Sequence, residues 1–427
     1  MASTPTPKQP TRPLDHVRPS DVRGAAQLAV KATSSITGVV EGVHQSVLST
    51  LGLGAGGTPG KTSGLTGLVY KSIQGVTGLV GVGLDKALEK LVPVLDAQID
   101  SPAASVERDI TLSVLNGVMG DRLVDDGNPL AIAMQLSTQG EILNWDAMPV
   151  LPEVSSSIML FVHGLCMTDA QWLEGSEDGA SLDLSVAVAG KLGYTPVFVR
   201  YNTGLHVSLN GRELSKQLDQ LLKNWPVPVT NISIVAHSMG GLVSRSAVHV
   251  GPQHNATWPQ HLKSMVFLGT PHHGAPLERA GNWLDVMLGS TAYTAPYAKL
   301  VQLRSAGITD LRYGHVADAD WVGKDRFRKS PDTRVSVPLP EGVACYTVAA
   351  TTTASRGALA DSLIGDGLVP LNSALGYHRD LRHRLVFAKE SQWIAYETGH
   401  IALMKSPAVA AQLLRWLGMS APAFATE

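Results

Sequence analysis

From about residue 106 onward, short apolar runs bounded by turn-forming residues alternate with stretches whose apolar positions recur at helical spacing. The runs are Leu130–Met134, Ile158–Val162, Val197–Val199, Ile232–Ala236, Met265–Leu268, Val343–Val348 and Leu385–Phe387. They lack clean two-residue alternation, which predicts strands buried on both faces, as in a parallel sheet. Leu214, Leu218, Leu221, Leu222 and Trp225 between two of them fall on one stripe of a helix. Near the end, Ser406 and Pro407 predict an N-cap and first helical residue and Gly418 the stop, with Val409, Leu413, Trp416 and Leu417 on the buried face. Crossover helices on a mostly parallel sheet, an α/β architecture, follow from this alternation.

The first hundred residues read differently. Met1 to Ser20 is rich in Pro and Thr, with no apolar run close behind its basic residues. It predicts a disordered lead-in, not a secretory signal peptide, and hence a cytoplasmic protein. Residues 21–104 are Gly-, Val- and Leu-rich, and Leu65-Thr66-Gly67-Leu68-Val69 recurs as Val76-Thr77-Gly78-Leu79-Val80. The recurrence after eleven residues returns to nearly the same helix face. With the turn-like Leu53 to Gly60, this predicts a helical hairpin. Lys71, Gln74 and several glycines interrupt its best apolar window, which falls short of the roughly 20 apolar residues of a span. Two readings follow: the hairpin packs on the main domain, or residues 21–95 make peripheral contact with a membrane or lipid surface. Packing is the simpler.

Charged residues make up 16% of the 427, the formal net charge is −2 and the mean hydropathy is +0.08. Such a chain buries an unusual share of its surface or rests part of it on lipid, and it lacks the basic excess of a nucleic-acid binder. Cys166 and Cys345 are the two cysteines. They form neither a disulfide framework nor a zinc-ligand spacing, and no metal or cofactor is expected.

The most informative stretch is Asn231 to Val243, in which an apolar strand ends in Ala236-His237-Ser238-Met239-Gly240-Gly241 and a helical pattern follows. This is the context of a nucleophile elbow: a turn tight enough to strain the serine backbone and stand its hydroxyl clear of the sheet. The residues two before and two after must be small, and they are Ala236 and Gly240. The helix behind Ser238 points its N-terminus at the site of developing negative charge. A second strand, Ile158–Val162, runs into His163-Gly164-Leu165-Cys166. The two N–H donors of an oxyanion hole are assigned to Met239 and Leu165, with Cys166 as the alternative to Leu165.

A serine needs a base and an acid to orient it, and the chain order for this architecture is Ser, Asp or Glu, His. Asp366, between Gly365 and Gly367, sits well for presentation at a strand's carboxyl end, and Asp361 is the competitor. Downstream of the last expected strand, Gly399 permits a sharp turn that places His400 just before the terminal helix. His378 and His383 are alternatives, but they lie among Arg379, Asp380, Arg382 and Arg384, before that strand.

Taken together, His163-Gly164, Ala236 to Gly241, Gly269-Thr270-Pro271-His272-His273-Gly274, Gly365 to Pro370 and Gly399-His400 resemble α/β-hydrolase lipases and esterases. They are most similar to the branch that includes GPI-inositol deacylase-like hydrolases. The resemblance spans about residues 105–420 and implies ester hydrolysis through an acyl-enzyme on Ser238, with His400 as base and Asp366 as its partner. Ala236 departs from the usual first glycine of the motif. His163, Gly164, His237, His272 and Trp283 are expected to border the substrate. His272 and His273 have no carboxylate or cysteine nearby to complete a metal set, so they are expected in wall or packing roles.

Residues 275–335 form an insertion carrying Trp283, Leu284, Val286, Met287, Leu288, Tyr293, Tyr297, Leu300 and Leu303, which suits a cap or lid over an acyl pocket. The expected substrate is a lipid or other long-acyl ester; residues 421–427 are a tail. Acyl transfer to another alcohol, peptide-bond hydrolysis, or a non-catalytic lipid-surface protein on the same fold are the other readings, and fold alone separates none of them.

Overall fold

The computed structural model describes residues 20–21, 23–24, 27, 106–173, 184–275, 305–325, 332–354 and 365–418. Several expectations fall outside the described residues: the lead-in before Ser20, nearly all of the hairpin, residues 276–304 and 326–331 of the insertion with Trp283, Asp361, and the tail.

The chain divides into two compact units, Met1–Leu112 with Leu123–Ala131 and Thr291–Lys299, and Ser113–Arg122 with Ile132–Ser290 and Leu300–Glu427. In the first, the Arg108 guanidinium donates to the Asp21 carboxylate at 2.7 Å and the Asn128 side chain donates to the Gly24 carbonyl at 3.0 Å.

In chain order the regular elements are α1 (Val106–Asp125), β1 (Gln135–Thr138), β2 (Glu141–Ile142), β3 (Ser157–Val162), α2 (Leu184–Leu192), β4 (Thr195–Arg200), α3 (Val207–Asn224) and β5 (Asn231–His237). There follow α4 (Met239–Val250), β6 (Leu262–Leu268), α5 (Ala306–Tyr313), β7 (Ala344–Ala350), α6 (Leu371–Ala374), β8 (Gln392–Ala395) and α7 (Pro407–Gly418). The strands form one sheet in the order β2-β1-β4-β3-β5-β6-β7-β8. In the sheet order from β4 to β8 every pairing is parallel, and β1 runs antiparallel to both β2 and β4. The apolar runs are buried as continuous strands require: Ile158 to Val162 are each 0% exposed.

The helices follow their stripes. Leu214, Leu218 and Leu221 are fully buried on α3, and Gly211 lets that helix press against Ser246 of α4 with no room for a Cβ. In α7 the Ser406 hydroxyl accepts from Val409 N–H, and Val409, Leu413 and Trp416 are buried. No helix among the described residues is long and apolar enough to cross a membrane.

Two expected strands are corrected. Leu130–Met134 is not in the sheet, because the Ile132 N–H is taken by the Asn116 side chain at 2.9 Å; the strand starts at Gln135. Leu385–Phe387 is buried at its two ends but pairs with no strand, since Leu385 N–H donates to the Gly376 carbonyl at 2.9 Å; the last strand is Gln392–Ala395. At Leu385–Phe387 burial of the two ends accounts for the apolar run without a ladder partner, whereas in Leu130–Met134 only Leu130 is buried.

Candidate active site

Strand β5 delivers its last residues to the carboxyl edge of the sheet, and the chain reverses at Ser238 into α4. Ser238 has φ 54° and ψ −123°, a left-handed backbone for a residue with a Cβ, which costs on the order of 1–3 kcal/mol and persists only where the surroundings enforce it. Ser238 N–H donates to the Leu268 carbonyl on β6 at 2.9 Å, and the Ser238 carbonyl accepts from Gly241 N–H at 3.0 Å. The steric need for a small residue at 240 has a different source from the one expected. A Cβ on Gly240 would strike the carbonyls of Val162 and His163, the latter at 2.6 Å, so the neighbouring strand β3 sets the limit, and not Ala236. Gly164 is constrained likewise, since its Cβ would lie 3.0 Å from the Ser238 Cβ and 3.1 Å from His237 Nδ1.

Asp366 and His400 meet. Gly365 and Gly367 take φ 51° and 95°, folding the loop around the carboxylate. One oxygen of Asp366 accepts from the amides of Leu368 and Val369 at 3.0 and 2.8 Å, and the other lies 2.6 Å from His400 Nδ1. His400 N–H also donates to the Asp366 carbonyl at 3.2 Å, and both residues are buried. The sharp turn before His400 is made by Glu397 at φ 50°, and not by Gly399. The Glu397 and Thr398 amides donate to the carbonyls of Thr353 and Thr351, which pins the turn to the end of β7. With Nδ1 committed to the carboxylate, His400 Nε2 has no partner among the described residues, and neither has Ser238 Oγ. The hydrogen bond between these two atoms is therefore not formed in this state, as is common before substrate arrives.

The turn after β3 carries the second group of amides. Met167 N–H donates to the Gly164 carbonyl at 3.3 Å, with Cys166 at φ 58°. The Cys166 amide donates to Thr203 Oγ1 at 3.1 Å, which removes it as an alternative to Leu165. No hydrogen bond within the described residues engages the amides of Leu165 or Met239. Burial pushes the Cys166 thiol up to about 12, so it is no thiolate nucleophile at neutral pH.

The histidines separate by environment. His163 is pulled down to about 4, chiefly by burial; its Nδ1–H donates to the Gly164 carbonyl at 2.9 Å, and its ring stacks on Tyr201 at 4.4 Å. The Tyr201 hydroxyl donates to the His163 carbonyl at 2.7 Å. His237 is held well below its ordinary value by burial and then by the adjacent His400. Its Nε2–H donates to the His400 carbonyl at 3.0 Å. Burial likewise holds His272 well down, between the rings of Phe267 and Phe387 and 3.5 Å from an Arg245 nitrogen; no described contact joins it to Ser238, Asp366 or His400. His273 Nε2–H donates to the Gly376 carbonyl at 3.0 Å. Among the described residues no three His, Cys, Asp or Glu side chains converge as a metal site.

Tyr201 and Thr203 were not singled out in the sequence. Their one signal is position: they follow the last residue of β4, at the same sheet edge as His163 and Ser238.

Residues 153–338 match the PGAP1-like alpha/beta domain family, a match over less than half of the chain. No curated protein matches. Among solved structures, the mature lipase BlEst2 of Bacillus licheniformis is 20% identical, over 63% of this chain and 95% of that one, with a TM-score of 0.38. Lipase B of Aspergillus fumigatus is 10% identical over 92% and 84%, at 0.39. The Pyrococcus furiosus esterase PF2001 is 12% identical over 66% and 90%, at 0.35. At such scores these likenesses carry no argument about activity. The expected resemblance to an α/β hydrolase of the PGAP1-like kind is borne out, as is the mostly parallel sheet flanked by helices.

Proposed function

We propose that the protein hydrolyses carboxylic esters through an acyl-enzyme on Ser238, with His400 as base and Asp366 as the carboxylate that orients it. One observation carries the reading: a buried, backbone-strained serine hydroxyl and a buried imidazole Nε2 both lack partners among the described residues, while the other imidazole nitrogen is held at 2.6 Å by a carboxylate.

The proposed reaction runs as follows. Ser238 Oγ bonds to the ester carbonyl carbon as its proton passes to His400 Nε2, and Asp366 stabilises the imidazolium. The oxyanion lies against the amides of Leu165 and Met239, with the α4 N-terminus behind it. The carbon–oxygen bond to the alcohol breaks, the alcohol leaves with the His400 proton, and water attacks the acyl group by the same path. The apolar side chains of the 275–335 insertion support a lipid or long-acyl substrate.

A series of p-nitrophenyl esters of increasing acyl length tests both parts. Turnover that rises with chain length and vanishes in Ser238→Ala is expected; turnover unchanged in Ser238→Ala rejects the reaction, and a preference for acetyl rejects the long-acyl substrate.

A further inference from the structure

We infer that the loop from Gly376 to Phe387 is a docking element for an anionic lipid surface. It is closed at its base, where Leu385 N–H donates to the Gly376 carbonyl at 2.9 Å and Tyr377 N–H donates to the Asn372 carbonyl at 2.8 Å. It is braced inside, where Asp380 N–H donates to His378 Nδ1 at 3.1 Å, His383 N–H donates to the Asp380 carbonyl at 3.1 Å, and the Ser336 hydroxyl donates to the Arg382 carbonyl. Leu385 and Phe387 turn inward, each 6% exposed. This anchored frame holds Leu381 71% exposed at the tip, Val386 83% exposed between the two anchors, and Tyr377 48% exposed. Apolar side chains fixed in water and rimmed by charge mark an interaction surface.

The rim is cationic. Arg379, Arg382 and Arg384 lie in the loop against Asp380, which leaves it a net +2 in a chain whose formal charge is −2. Asp380 is already engaged by Arg382 at 2.6 Å, and Asp332, 3.6 Å from His378 Nε2, is paired with the largely buried Arg334 at 2.7 Å. Arg384 lies over the Tyr377 ring, 4.3 Å from its centroid. Three apolar side chains on one short loop fall far below the roughly 800 Å² per partner of a stable protein interface. A bilayer needs only shallow insertion of a few apolar groups, with an amphipathic aromatic and arginines beside them, and this loop exposes groups of each kind. The inference is independent of the chemistry at Ser238, and it concerns a surface other than residues 21–95.

The test is co-sedimentation of the full chain with phosphatidylcholine vesicles, with and without about one third phosphatidylserine, and with Leu381→Asp and Arg379→Ala alongside. These side chains face solvent, so matching thermal melts will verify folding. Binding to the anionic vesicles is expected, weakened about five-fold by Arg379→Ala, at least about ten-fold by Leu381→Asp, and by added salt. No binding, equal binding to neutral vesicles, or variants that bind like the parent would overturn the inference. The last result would move the contact elsewhere in the chain. Binding to polyglutamate but not to vesicles would assign the loop to an acidic protein and overturn it as well.

Discussion

His237 donates through Nε2–H to the main-chain carbonyl of His400 at 3.0 Å, joining two residues 163 apart in sequence. The residue before the elbow serine thus holds the backbone of the proposed base, and the two rings lie 4.6 Å apart. Depressed by burial, His237 stays neutral, so it can donate at Nε2 without placing a second positive charge beside the imidazolium that His400 becomes.

Replacing His237 by Phe keeps a ring and removes the donor that ties the His400 carbonyl to β5, at a cost of about 1 kcal/mol. We expect kcat to fall roughly ten-fold or more with KM little changed, and His237→Gln, which can still donate, to recover part of it. Steady-state kinetics on one soluble ester checks this; equal kcat in all three proteins would remove His237 from any positioning role.

Asp366→Asn should lower kcat by about three to four orders of magnitude while the fold survives, since the amide fits the space but favours the wrong imidazole tautomer. Asp366→Ala should add a loss of stability, because the amides of Leu368 and Val369 lose their acceptor. Kinetics and urea midpoints on the two variants separate these effects.

Thr203 Oγ1 accepts from the amide of Cys166 and so braces the turn after β3 that carries Leu165. Thr203→Val removes the acceptor at constant shape and is expected to cost on the order of 1–3 kcal/mol in stability. The turn it loosens should also lower kcat, and Thr203→Ser should behave like the parent. A valine variant equal to the parent in both kcat and melting temperature would contradict this.

Stability should fall in mild acid. His163 titrates at about 4 when folded against an ordinary 6.5, so between these values the unfolded chain binds a proton that the folded chain refuses. Stability is therefore lost as pH drops from about 6.5 toward 4, by roughly 3 kcal/mol from this residue alone. His237 and His272, also depressed by burial, act in the same direction. Urea midpoints measured from about pH 7.5 to 4.5 should decline steadily; a flat profile would contradict the buried neutral histidines.

Much of the fold was legible because a parallel strand buried on both faces writes itself as an unbroken apolar run, as Ile158–Val162 and Ile232–Ala236 do. The same signal misleads where a buried extended segment hydrogen-bonds to a loop, as at Leu385–Phe387. The pairing of Asp366 with His400 was legible because chain order and flanking glycines narrow the choice, and Gly365 and Gly367 do adopt the left-handed backbone. The turn before His400 was legible only in outline, since Glu397 takes the positive φ that Gly399 was expected to supply. Thr203 and Tyr201 left no local mark. Their contacts cross from the end of one strand to the end of the next, and pattern along the chain does not encode that proximity.

The most direct measurement is mass spectrometry of the intact, folded protein after reaction with a fluorophosphonate, followed by peptide mapping. The account predicts one adduct, on the peptide containing Ser238, absent in Ser238→Ala and formed at least about a thousand-fold more slowly in His400→Ala. A folded protein that takes up no label, or takes it on another residue, would contradict it.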